Sequence, residues 1–202
     1  MAAMILVLAC LVAPAAPAGA SEAGLTGLTG HPRSHLPLRL WVQPAGEASL
    51  DAAARRAVED WNAVARDVLG VEAFAAGAPR EAAQVRVGLE PPATQGLMGV
   101  THLRTDDTGV IELPVTIVVV EPAARGRTSR ETVLYQVLAH ELGHALGLPH
   151  VRDPRSLMCC ERGSVDLTDP ATREAYVEAR RHPDVGTVRA QLAEQYARVW
   201  RR

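Results

Sequence analysis

The sequence predicts an α+β fold: a mixed, twisted sheet, one long buried helix that carries the reactive side chains, and helices toward the C-terminal end. Three observations lead there. The stretches "LRLWV" and "QVRVGLE" set apolar residues at every second position, the period of a strand buried on one face. The run "SLDAAARRAVEDWNAVARDVLG" places Leu50, Ala53, Ala57, Trp61 and Val64 or Val68 at helical spacing. A second helical run, "TSRETVLYQVLAHELGHALG", is apolar around most of its circumference and must be enclosed on several sides.

Composition sets the limits. At 202 residues the chain can bury one substantial core. Hydrophobic residues make up 48% and aromatics only 3%, so alanine, valine and leucine fill that core. A net charge of -2 lacks the basic surface that phosphate binding requires, which removes nucleic acid as a partner.

From the N-terminus, "MILVLACLVAPAAPAGA" orders an apolar run before small residues, the pattern of a secretory signal peptide over residues 1–20, cut after about Ala20. The apolar run is too short for the roughly 20 residues a membrane-spanning helix needs. A secreted protein is therefore expected, with no membrane span. Cys10 offers a lipoprotein reading, weakened because the apolar run continues through Val12. Residues 21–36, rich in glycine, serine and threonine, read as a flexible lead-in, and residues 37–202 as one domain with a helical extension from about residue 184.

Within that domain, Leu38–Val42 is the first expected strand. The helix after it has Ser49 to cap its start and Gly70 to close it. A strand follows near residues 85–89, then two extended segments around a turn made by Asp106, Asp107 and Gly109. Pro114 lacks an N–H donor and belongs at an edge, a bulge or an interruption. The unbroken run of residues 115–120 reads as a strand buried on both faces.

Thr128 and Glu131 have capping-box spacing, which sets the start of the next helix, and Gly147 is placed to end it. On this helix lies "HELGHALGLPH", which gathers three of the chain's seven histidines. His140 and His144, four residues apart, share a face one turn apart and can hold one metal ion together. A turn at Gly147 brings His150 back toward the same ion. Three neutral nitrogens with a fourth position left open is the arrangement of a catalytic zinc site, not of a closed structural one. Zinc there would lower a water's pKa toward ~7 and polarise a carbonyl. Glu141, beside the first ligand, is placed to take a proton from that water.

This motif resembles the extended zinc motif of the metzincin metallopeptidases. The downstream "HVRDPRSLM", with Met158 eight residues after His150, is similar to the matrixin branch. The resemblance implies a sheet of about five strands with one antiparallel edge strand, a cleft floored by the zinc helix, a methionine turn at Met158 supporting the site from below, and a C-terminal helix. It also implies an extended peptide or protein substrate lying along the edge strand, for which Gly99 to Leu103 is the best match. His102 sits where matrixins place a ligand of a second zinc. No other histidine lies between His35 and His140, so His102 is read as an ordinary strand residue.

Two departures stand out. Matrixins commonly follow the methionine with a tyrosine and a proline that shape the specificity pocket; Cys159 and Cys160 occupy those places, so substrate preference is not carried over. The pair reads as inert buried thiols, a vicinal disulfide, or reactive thiols. There is also no cysteine between Ser21 and Leu38, and so no cysteine-bearing prosegment of the matrixin kind. A calcium ion at Asp106 and Asp107 competes with the simpler reading of two turn residues. Toward the C-terminus, Thr168 or Asp169 caps a helix with Pro170 in its first turn. Val188, Leu192, Tyr196 and Val199 or Trp200 then form a stripe that packs on the domain or meets a partner.

The expected function is a secreted zinc endopeptidase. A zinc hydrolase of another amide, such as a cell-wall peptide, shares every ligand and differs only in its cleft. A zinc-binding module without turnover would not need Glu141.

Overall fold

A computed structural model describes residues 25–91, 98–160 and 163–201. The stretch read as a signal peptide, with Cys10, lies outside them.

The first strand, β1 (Leu38–Val42), buries Leu38 and Leu40 and exposes Arg39 between them. The long helix α1 (Ala48–Leu69) presents the expected stripe, with Val64 buried in preference to Val68. Its cap differs from expectation. Glu47 is the N-cap and Ser49 lies inside the first turn, where its hydroxyl donates to Glu131 on another helix at 3.1 Å. Asp51 holds the start instead, its carboxylate accepting from the Ala45 N–H at 2.7 Å. Gly70 closes α1 as expected, in the left-handed conformation.

A strand that sequence periodicity does not show follows: β2 (Phe74–Ala76), too short to display alternation. It pairs with β1, and a helix side chain fixes its start. Asn62 of α1 accepts from the N–H groups of Ala73 and Phe74 and donates to the Phe74 carbonyl. Next come β3 (Val85–Glu90), β4 (Gly99–His102) and β5 (Val115–Val120), giving a five-stranded sheet of order β2-β1-β3-β5-β4. All neighbours are parallel except β4, which runs antiparallel to β5 at one edge. Pro114 precedes β5 and interrupts the extended chain there. The strand β5 is not buried on both faces: Val115, Ile117 and Val119 are buried, but Thr116 is exposed and Val118 only half-buried. Its apolar run is continuous, yet only one face meets the helices.

Helix α2 (Arg130–Ala145) is capped by Ser129, whose side chain accepts from the Thr132 N–H at 3.2 Å, one residue later than the expected Thr128. It packs on α1 through polar ties as well as apolar ones. Trp61 donates to the Ala139 carbonyl at 2.9 Å, and the Tyr135 hydroxyl to Asp60 at 2.5 Å. Helix α3 (Pro170–Arg181), capped by Asp169, has no fully buried side chain. Helix α4 (Arg189–Val199) packs on the domain, burying Leu192, Gln195 and Tyr196 beside Val185 and Val188. No described helix is long and apolar enough to cross a membrane.

The C-terminal end of α2 is itself buried, so its last carbonyls need partners inside the protein. They come from both ends of the chain. His31 Nε2 donates to the Ala145 carbonyl at 2.9 Å, the Tyr196 hydroxyl to Leu146 at 3.1 Å, and the Gln195 amide to both Gly147 and Thr29. Trp200 in turn donates to the His31 carbonyl at 3.0 Å. The segment read as flexible packs on the domain around Gly30: Thr29 and His31 are buried, and Gly30 bridges to Val110.

Burial pushes the His31 imidazole down to about 4, since Nδ1 has no acceptor there and His35 lies nearby. The unfolded chain takes up this proton near pH 6.5, and the folded protein refuses it until about 4. The associated stability is thus complete above pH 6.5 and drains away as the pH falls toward 4, by about 3 kcal/mol. Urea midpoints of the metal-free protein should fall more steeply over that interval than those of His31→Gln. Parallel slopes would mean that the ring titrates normally in the fold.

Candidate metal centre

Helical periodicity puts His140 and His144 on one face of α2. Gly147 then turns the chain: its φ is 88°, and a Cβ there would lie 2.6 Å from the Thr29 carbonyl oxygen. Both backbone conformation and space require glycine. The Leu148 N–H returns to the Gly143 carbonyl at 3.0 Å, and His150 swings back over the two helical histidines.

The three Nε2 atoms form a nearly equilateral triangle, with separations of 3.1, 3.1 and 3.2 Å. Between His140 and His144 the contact is not a hydrogen bond. His140 Nδ1 lies 2.8 Å from the Leu157 carbonyl and His144 Nδ1 2.8 Å from the Leu148 carbonyl. A carbonyl can only accept, so both Nδ1 atoms carry the proton and both Nε2 atoms present bare lone pairs. Lone pairs converging at this distance repel unless a cation lies between them. Burial pushes His144 down to about 4, which keeps it in the neutral form that a metal takes. A tetrahedral ion at the ~2.05 Å typical of zinc to imidazole would have its ligand atoms about 3.3 Å apart, close to the triangle observed. The residues therefore fit zinc with one vertex open. Among the described residues this is the single group of three or more such ligands within reach of one ion.

Below the triangle, Met158 is fully buried, with its sulfur against Gly143: a Cβ at Gly143 would come within 2.4 Å of Met158 Sδ and 3.2 Å of the Trp61 ring. The methionine turn is tied on three sides. Its carbonyl at Met158 accepts from the Val151 N–H at 3.0 Å, and Thr187 accepts from the Leu157 N–H at 3.0 Å. Arg180 of α3 donates to the Cys159 carbonyl at 3.0 Å. Because Leu157 also orients His140, these ties reach the ligand set at one remove. Gly143→Ala should force Met158 and Trp61 apart and cost about 1–3 kcal/mol of stability. A lowered urea midpoint together with weaker zinc retention on dialysis would show it; an unchanged midpoint would mean the floor is compliant.

Glu141 is almost fully buried and points toward β4. The Thr101 hydroxyl lies 2.7 Å from Glu141 Oε2, and Gly99 leaves room for the carboxylate. Sequence reasoning missed both residues. The available signal was the strand period, which turns Gly99 and Thr101 to the same face of β4. His102 is exposed on that strand.

Asp106 accepts from the Thr108 N–H, the Thr108 hydroxyl and the Val110 N–H, which hold its carboxyl below the usual range. Its carboxylate is engaged in building its own turn. The sulfurs of Cys159, which is buried, and Cys160 are placed against each other, as a vicinal disulfide requires. Pairing adjacent residues encloses no loop, so it ties no distant parts of the chain together.

A sequence profile of the matrixin family matches residues 40–166, more than half of the chain, from β1 through the methionine turn. No curated protein matches the chain.

Proposed function

The chain belongs to the matrixin family of zinc-dependent endopeptidases, and on that premise we propose that it is a secreted peptidase using Glu141 as its proton carrier. The observation that carries this reading is the triangle of Nε2 atoms with a buried glutamate beside it. His140, His144 and His150 would hold the metal. Zinc bound there supplies an acidified water and polarises the scissile carbonyl. The carboxylate of Glu141 accepts the proton of the attacking water and returns it to the departing amine. Gly147 and Met158 support the ligands without touching the substrate.

The substrate would be an extended peptide. Strand β4 ends the sheet, and its outer edge pairs with no strand among the described residues. Backbone donors and acceptors on such an edge bind a peptide by strand addition, largely independent of its side chains. Selectivity then falls to the side chains around Cys159 and Cys160. Export with cleavage after about Ala20 belongs to the same proposal, and N-terminal sequencing of the protein recovered outside the cell tests it.

The deciding experiment is digestion of an unfolded protein such as casein by purified residues 21–202, with zinc, after chelation, and after zinc is restored. Cleavage that follows the zinc supports the proposal. Intact casein in the presence of a full equivalent of bound zinc would exclude a general endopeptidase.

A further inference from the structure

A glutamate side chain has three rotatable bonds, so proton transfer in a fixed geometry requires something to hold the carboxylate still. In this protein that partner comes from the sheet. Thr101 is completely buried in β4, where it pairs with Ile117 of β5. Its hydroxyl lies 2.7 Å from Glu141 Oε2 and 3.1 Å from the Glu141 carbonyl oxygen. A hydroxyl has one proton to give, and the closer, charged acceptor receives it. Threonine is stiff at χ1, so the donor is fixed by the strand itself. Gly99, on the same face of β4, completes the fit: a Cβ there would lie 2.8 Å from Glu141 Oε1, 2.9 Å from its Cγ and 2.7 Å from Val137. The edge strand is small where the carboxylate needs space and polar where it needs an anchor.

We propose that Thr101 is a positioning residue that holds the Glu141 carboxylate in place for proton transfer through its bond to Oε2. This inference rests on the peptidase reading, because β4 is also the strand proposed to hold the substrate. One rigid element would then set the register of both the peptide and the base, so that a docked peptide bond meets a carboxylate already aligned to it.

The test compares the wild type with Thr101→Val, which keeps the shape and removes the donor, and Thr101→Ser, which keeps the donor. Melting temperature confirms that each variant is folded. For Thr101→Val, kcat should fall by about 10- to 100-fold with KM changed less than about twofold, and Thr101→Ser should recover most of the loss. A second readout needs no turnover. The infrared carboxylate band assigned to Glu141 by its absence in Glu141→Gln should shift in Thr101→Val and stay in place in Thr101→Ser. An unshifted band, or a kcat loss that Thr101→Ser shares in full, overturns the proposal. If the wild type cleaves no peptide but the band shifts, the pinning contact stands and the peptidase reading falls.

Discussion

Glu141→Ala is expected to lower kcat by about 10²- to 10⁴-fold while zinc content and fold remain those of the wild type. In the proposed mechanism the metal and the proton carrier are separate pieces of chemistry. The ligand nitrogens belong to His140, His144 and His150, and the carboxylate of Glu141 faces Thr101 and Gly99 on β4. Removing it leaves the triangle of nitrogens and their carbonyl partners intact. The residual rate would come from metal and substrate alignment alone. Metal analysis beside casein cleavage checks the prediction. Full activity in a zinc-loaded variant would remove Glu141 from the mechanism, and loss of zinc with loss of activity would make it part of the metal-holding structure.

Chelation should have the second large effect. Without a cation, the bare lone pairs of His140 and His144 converge 3.1 Å apart on one side of a buried helix, which is unfavourable in itself. Zinc bound only to the folded chain stabilises it by about 4 kcal/mol when free zinc is ~1,000 times the dissociation constant. For a domain of this size that raises the melting temperature by on the order of 10 °C. His144→Ala should lose this increment, because it removes a fully buried ligand together with its bond to the Leu148 carbonyl. The check is a melting curve of both proteins with and without zinc. A zinc-dependent rise that survives in His144→Ala would place the ion elsewhere.

How far each feature could be read from sequence depended on how local its cause is. His140 and His144 were legible because four residues on a helix set their relation, and His150 because Gly147 lies between. The edge strand β4 followed from the resemblance and was found as expected. The cap of α2 was misplaced by one residue because Thr128 and Ser129 both carry hydroxyls, and only the backbone path selects between them. The short strand β2 was invisible because three residues are too few to show alternation, and its partners, β1 and the Asn62 side chain of α1, lie elsewhere in the chain. Thr101 was overlooked because its partner lies 40 residues later. The contacts of the lead-in segment were hidden for the same reason: Gly, Ser and Thr suggest a flexible chain, and His31 finds its partner 114 residues away.

The closing of the α2 end carries a consequence for how the molecule comes into being. Tyr196 follows Leu146 by 50 residues, and Gln195 follows Gly147 by 48. A chain that emerges from a ribosome at roughly 5–20 residues per second therefore exposes all three histidines some 2 to 10 seconds before those caps exist. During that interval the last turn of the metal helix has unsatisfied carbonyls and frays toward water. The end of the metal helix is therefore closed only after the segment that carries Gln195 and Tyr196 has been made and has folded back onto it.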